Sequence, residues 1–283
     1  MYLLFSILCS TLIFVIFKSL SKYNINTLQV IAINYFVACF IGITAFQGNI
    51  TVENTLQSDW FLGAIFLGFL FISIFFVMAM TAQKNGVSVA SVASKMSVVI
   101  PIIFGIYVYN EGTGLQKIIG IILALLAVYL TSVKSAAEIN FKKNLLLPII
   151  LFFGSGTIDT SIKYIETTYV PDNGIPLFSA SIFGIAAILG LIALITKKAF
   201  KITKKAVIGG LLLGVVNYGS IYFLLKALDH ELFESSTLFT VNHVAIVMFS
   251  TLIGLFVFKE HLTRKNWIGI VLAIIAIILV TLA

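Results

Sequence analysis

The chain has 283 residues, 60% of them hydrophobic and only 10% charged, with a mean hydropathy of +1.12 and a formal net charge of +7. A soluble domain keeps roughly a quarter of its residues charged, so a water-soluble globule is excluded and the apolar surface must meet a lipid bilayer. The positive charge does not imply a nucleic-acid partner, because the lysines stand mostly in short loops between apolar runs, where they act as topology signals.

The first apolar run, Tyr2 to Phe17, lacks a basic leader and an A-x-A-like cleavage site, and it reads as a span rather than a signal peptide. Nine more runs follow, bounded by charge, Gly, Pro or Asn. The ten predicted spans cover 2–20, 27–46, 60–82, 87–109, 115–133, 145–168, 174–196, 206–228, 232–258 and 266–282. Each is close to the ~20 apolar residues that cross a bilayer as a helix, and within lipid a helix satisfies its own backbone. A β-barrel is excluded, since period-2 alternation is absent. Cys9 and Cys39 fall inside spans and suggest neither a disulfide framework nor a metal site. No cofactor is expected, and no Walker A loop is present to support ATP hydrolysis.

Polar residues inside spans are costly and usually face protein or water, which makes each a candidate for function. In the second span these are Asn34 and Tyr35. In the fourth, Ser91, Ser94, Pro101 and Gly105 share one face, with Lys95 beside it. Lys95 could meet a carboxylate or phosphate of a solute, or its long stem could snorkel to the interface. Pro101 leaves the Ser97 carbonyl without its helical donor and predicts a kink beside Lys95.

The sixth span carries Asp159, the one acid near mid-span. It suits proton coupling, but Lys163 at i+4 favours an intrahelical ion pair equally well. Asn217 and Tyr218 in the eighth span could hydrogen-bond a polar solute or a neighbouring helix. In the ninth, Ser236, Thr240 and His243 form one stripe. Its Ser and Thr could line a cavity or simply permit close packing. His243, with a reference pKa near 6.5, is a second titratable candidate.

The most specific signal is self-similarity. A shift of 149 residues superposes Gly105 on Gly254, Glu111 on Glu260, Gly120 on Gly269, Ala127 on Ala276 and Leu130 on Leu279. The same shift matches Ser91, Ser94, Pro101 and Gly105 with Thr240, His243, Ser250 and Gly254. Shifts of 146 and 145 match Gly63 and Gly68 with Gly209 and Gly214, and Ser10 and Lys18 with Ser155 and Lys163. Residues 1–134 and 145–283 are therefore read as two repeats of five helices joined by a linker at 135–144. An odd number of spans returns the chain on the opposite side, so the repeats have inverted topology. That arrangement predicts a solute site near the bilayer midplane and alternating access.

The loops after the first, third, fifth, seventh and ninth spans hold 14 basic residues, from Lys18 and Lys22 through Lys259, Arg264 and Lys265. The opposite loops hold Lys117 alone. The positive-inside rule then places both termini outside the cytoplasmic membrane. Glu111 and Glu260 sit at span ends and are expected to cap or pair near the surface. Gly210-x-x-x-Gly214, Gly120-x-x-x-Ala124 and Gly269-x-x-x-Ala273 read as packing faces, the last two open to a homodimer contact.

Each repeat ends on the same pattern: a small-residue helix closing on Glu, a polar turn, then a helix opening with Gly. It reads PIIFGIYVYNEGTGLQKIIGIILALLAVYL and STLIGLFVFKEHLTRKNWIGIVLAIIAIILV. In this the whole chain resembles the EamA-type permeases of the drug/metabolite transporter superfamily. The resemblance implies an all-α membrane protein whose central cavity is lined by spans 1, 3, 4, 6, 8 and 9, moving a small polar metabolite such as an amino acid or sugar. It also implies cytoplasmic termini, against the lysine count. The competing classes are an intramembrane enzyme on lipid-linked substrates and a non-transporting membrane subunit. The first needs clustered acids, paired histidines or a nucleophile with a base, whereas His230, His243 and His261 are dispersed, so no enzymatic activity is expected.

Overall fold

A computed structural model describes residues 1–45, 55–108, 114–132, 141–171, 174–199, 201–228 and 235–282. All regular structure among them is helical: α1 (Tyr2–Lys22), α2 (Thr27–Ala45), α3 (Phe61–Lys84), α4 (Val87–Met96), α5 (Val99–Val108), α6 (Leu115–Ser132), α7 (Phe141–Tyr169), α8 (Ile175–Thr196), α9 (Lys204–Leu228), α10 (Ser235–Phe256) and α11 (Arg264–Thr281). Glu111 and His230 lie outside the described residues, as does most of the 135–144 linker. Because α4 and α5 together make one span, Val87–Gly105, the eleven helices match the ten predicted spans in order and position, and among the described residues seven are long and apolar enough to cross a membrane. Large apolar side chains stand outermost, among them Leu62 at 78% and Phe40 at 68% exposure. A surface so rich in exposed Leu, Ile and Phe is stable only against lipid.

The fourth span breaks where Pro101 predicts. Ser97 and Val98 form a turn, and the Ser97 carbonyl, which Pro101 cannot reach with an N–H, accepts instead from Ile100 N at 2.9 Å. The Ser97 hydroxyl turns back to the Ser94 carbonyl at 2.6 Å. Pro101 then occupies the first turn of α5, where a missing donor costs nothing.

The chain forms two compact units that do not follow the sequence repeats. One comprises residues 1–19, 77–157 and 219–283, the other 20–76 and 158–218. Each draws on both halves of the sequence.

In the second unit α2 lies along α8, and glycines set the spacing. A Cβ on Gly42 would stand 3.2 Å from Ala180 Cβ, and one on Gly190 would stand 3.1 Å from both Ala32 Cβ and Ile72 Cδ1. Trp60, Ala64, Leu67, Ile165, Phe178 and Ile182 form its apolar core. The Tyr35 hydroxyl donates to the Phe71 carbonyl at 2.8 Å, joining α2 to α3. The Gln29 amide nitrogen donates to the Ala199 and Lys201 carbonyls at 2.8 and 3.1 Å, tying α2 to the α8–α9 connection.

In the first unit α6 packs against α11, the equivalent helix of the other repeat. The Gln116 amide at the start of α6 donates to the Leu279 carbonyl near the end of α11, at 3.2 Å. The Asn266 amide at the start of α11 donates to the Leu130 and Thr131 carbonyls at the end of α6, at 3.1 and 2.9 Å. The two helices are therefore antiparallel, as inverted repeats require. Asn266 also completes a capping box with Thr263. Replacing it with Ala leaves the Thr263 cap on the backbone N–H of residue 266 but removes the reciprocal bond from Thr263 N and orphans two carbonyls, each a loss of roughly 1 kcal/mol. N266A should therefore unfold several degrees below the parent in a detergent melting assay.

Glu260, in the α10–α11 connection, caps α4. The α4 N-cap is Gly86, which has φ +116 and no side chain to offer. The Glu260 carboxylate takes its place, accepting from Val87 N at 2.7 Å, Ser88 N at 3.4 Å and Ser88 Oγ at 3.1 Å. A carboxylate is favoured there because unpaired N–H groups and the helix dipole make a helix N-terminus positive. The expected capping and pairing role is thus seen for Glu260, which also lies 3.8 Å from Lys18 Nζ.

Candidate functional site

The polar face of the fourth span meets that of the ninth. Helix α4 packs against α10 in antiparallel sense: Ser88 at the start of α4 faces Gly254 near the end of α10, where an added Cβ would stand 2.9 Å from Ser88 Oγ. Two turns further along α4, Lys95 interacts electrostatically with His243, three turns back along α10. Both side chains are half-buried. Under the 149-residue correspondence Ser94 matches His243 and Lys95 matches Val244. Lys95 and His243 are therefore within one residue of each other's counterparts under the repeat correspondence.

A second polar contact adjoins it. Ser6 Oγ on α1 donates to the Ser220 carbonyl of α9 at 2.9 Å and stands 3.5 Å from Asn242 Oδ1, the residue before His243. An added Cβ on Gly219 would lie 3.3 Å from Cys9 Sγ, so α1 and α9 are close here. Sequence reasoning missed Ser6 and Asn242. Ser6 sits one turn from the chain start, and its partners are more than 200 residues away.

The predicted serines divide. Ser91 Oγ is fully buried and donates to the Ser88 carbonyl of its own helix at 3.0 Å. Ser250 likewise bonds back to the Ile246 and Val247 carbonyls. Hydroxyls spent on their own backbone fit close packing better than a cavity wall. Ser94 is half-buried, next to Lys95. Thr240 belongs to α10, but its side chain lies outside the described residues.

The family model of the EamA-like transporters matches residues 1–133 and again residues 143–282. The chain belongs to the EamA-like transporter family. As a member it is a multi-pass membrane protein built from two EamA repeats, in a family whose members are transporters. It is similar to an uncharacterized protein of Haemophilus influenzae, at 30% identity over 282 residues, covering 97% of this chain and 95% of that one. It also resembles a protein of known crystal structure, with a TM-score of 0.58 and 12% identity over 99% of this chain and 95% of that chain. That likeness concerns the fold alone.

The remaining predicted residues of this EamA-like chain lie in the second unit. Asp159 and Lys163 are exposed on α7, one turn apart. Asn34 on α2 is completely buried, and neither its amide oxygen nor its amide nitrogen has a hydrogen-bond partner. Asn217 is 4% exposed, and Tyr218 beside it is half-buried. Tyr35, bonded to Phe71, serves packing. Among the described residues no group of three His, Cys, Asp or Glu side chains could hold a metal ion.

Proposed function

We propose that the chain is a secondary carrier that moves a small polar metabolite, an amino acid, a sugar or a related compound, by alternating access. The observation that carries this reading is the packing of α4 on α10, which brings Lys95 within electrostatic reach of His243 close to the axis that inverted repeats imply. For inverted repeats that axis runs in the membrane plane, and a group on it is equally far from both faces of the bilayer. Snorkelling is a poor account of a lysine at that depth, and an ionisable residue there argues for a solute pathway. The half-buried Ser94 and the Ser6–Asn242 contact supply further polar groups at the same level. Asn34 supports the reading from the second unit, because a buried amide with no partner costs about 1–3 kcal/mol unless water or a solute completes it.

Uptake of labelled amino acids, sugars and organic anions into proteoliposomes tests the proposal. One class should enter at several times the rate seen in protein-free vesicles, and a proton gradient of either sign should change that rate if Asp159 or His243 couples transport. Uptake no faster than in empty vesicles for every class would remove the carrier reading.

Orientation is proposed separately. The 14 basic residues gathered around the ends of the predicted spans on one side support a reading with both termini outside the cytoplasmic membrane. Alkaline phosphatase fused to either end should be active, and green fluorescent protein fused there should be dark. The reverse pattern would turn the protein over and exchange import for export.

A further inference from the structure

We propose that Glu260 is a releasable latch on α4, and that α4 is a lever joining the latch to Lys95 at its other end. The proposal rests on the carrier reading for its purpose, though not for its geometry. Helix α4 is ten residues long and has a pivot at each end. At its start stands Gly86 at φ +116, a backbone angle that L side chains rarely adopt. At its end the Ser97–Val98 turn, forced by Pro101, interrupts the helix before α5. A short rigid rod between two breaks can tilt without unfolding its neighbours.

The first turn of the rod is capped by a single carboxylate from the other repeat, while its apolar side chains pack on α6 and α10. Glu260 binds the first turn of α4 through Val87 N, Ser88 N and Ser88 Oγ, and it pairs with Lys18 of α1 at 3.8 Å. Lys18 also donates to the Gln83 carbonyl at 3.1 Å, and the Gln83 amide donates to the Phe17 carbonyl at 3.0 Å. The ends of α1 and α3, the start of α4 and the α10–α11 connection are thus drawn together at one end of the unit.

The space for the carboxylate is built by two glycines. A Cβ on Gly86 would stand 2.9 Å from the Glu260 carboxylate, and one on Gly254 would stand 2.6 Å from Glu260 Oε2. Glu260 itself is reached through Lys259, which holds the left-handed φ of +52, and its own N–H returns to the Gly254 carbonyl at 2.9 Å. The bonds from Glu260 to the first turn of α4 are charge-assisted and can be exchanged for water, whereas the body of α4, with Val89, Ala90, Val92 and Ala93 buried, stays packed on α6 and α10. Letting go of Glu260 frees the rod at its start, and tilting about the Ser97–Val98 turn then carries Lys95 relative to His243. The sequence repeats three of the parts, since Lys18, Gly254 and Glu260 correspond to Lys163, Gly105 and Glu111. Glu111 lies outside the described residues, and the proposal concerns the Glu260 set.

The test uses thiol labelling. In a background with Cys9→Ala and Cys39→Ala, a single cysteine at Ser94→Cys is exposed to a membrane-impermeant maleimide, added to the side bearing the α10–α11 connection. Glu260→Gln keeps the size of the side chain but removes the charge that holds Lys18 and the helix N-terminus, and turns one accepting oxygen into a donor. It should raise the labelling rate at least ten-fold. Lys18→Gln, which leaves the α4 cap in place, should raise it about three-fold. A Glu260→Gln protein that is monodisperse in detergent and labels within two-fold of the parent overturns the latch. If Glu260→Gln does not fold, Lys18→Gln decides, and labelling at the parent rate overturns it. The readout needs no substrate. Faster labelling in a protein that transports nothing would therefore leave the latch standing and remove the carrier reading instead.

Discussion

Lys95→Met should abolish transport while leaving the protein folded. Methionine matches the lysine stem in length and packs against the same neighbours, so the change removes the ammonium and little else. The Lys95 ammonium belongs to the last turn of α4, beside a break in the span. If it binds the solute, its loss deletes a charge-assisted hydrogen bond worth about 1.5–3 kcal/mol, roughly 10- to 150-fold in affinity. Initial uptake at sub-saturating substrate should fall by at least ten-fold. Lys95→Arg should recover only part of it, because the planar guanidinium does not reproduce a compact point charge.

His243→Gln should impair transport in the same assay, with a smaller loss if the ring contributes a hydrogen bond rather than a charge. The thermal midpoint of each variant should stay within a few degrees of the parent. Unchanged uptake in both Lys95→Met and His243→Gln would show that the polar crossing of α4 and α10 is packing. The solute would then have to be sought at Asn34 and Asn217.

The spans were legible because what determines them is local. A bilayer asks for about 20 apolar residues whatever the rest of the chain does, and the predicted edges fall within four residues of the helices described at every described boundary. The break in the fourth span was legible for the same reason, since Pro101 disables a bond to a residue four positions away. The antiparallel α6–α11 and α4–α10 pairs follow from an odd number of spans per repeat.

Other features depend on partners that no local rule supplies. Lys18 reads in sequence as one more loop cation, yet it belongs to α1 and meets Glu260, 242 positions on. Ser6 and Asn242 are unremarkable residues until the two ends of the chain come together. Ser91 looked like a cavity residue by its face, but a serine can turn its hydroxyl onto its own helix, and spacing does not reveal which it does. The two compact units also interleave the repeats, so the unit of duplication in the sequence is not the unit of packing in space.

The two glycines of Gly210-x-x-x-Gly214 give the largest expected effect on stability. Both lie on α9 where it crosses α2. A Cβ on Gly210 would stand 2.5 Å from Ile33 Cβ and 3.1 Å from the Val30 carbonyl. One on Gly214 would stand 2.6 Å from Val37 Cβ and 2.9 Å from the Asn34 carbonyl. The obstacles are β-branched carbons and backbone, which cannot rotate out of the way, so the helices must separate. In lipid that separation is costly for a particular reason: lipid chains are as apolar as Leu, and helix association depends on close packing instead of on removal of surface from water. Forcing a methyl group into such a contact costs about 1–3 kcal/mol, and a branched side chain costs more.

Gly214→Val should therefore lower the temperature at which the detergent-solubilised protein loses its monodisperse peak, with Gly210→Val close behind. The double variant should accumulate poorly, with an effect short of the sum because both act on one contact. Gly114→Ala is the control, since an added Cβ there meets nothing within 4 Å among the described residues. A double variant as heat-stable as Gly114→Ala would mean that α2 and α9 are not in contact through these glycines. Asn34 shares that contact through its backbone carbonyl, so Gly214→Ala, the mildest member of the series, also probes the neighbourhood of the buried amide. A loss of uptake in Gly214→Ala larger than its loss of stability would link the α2–α9 spacing to transport itself.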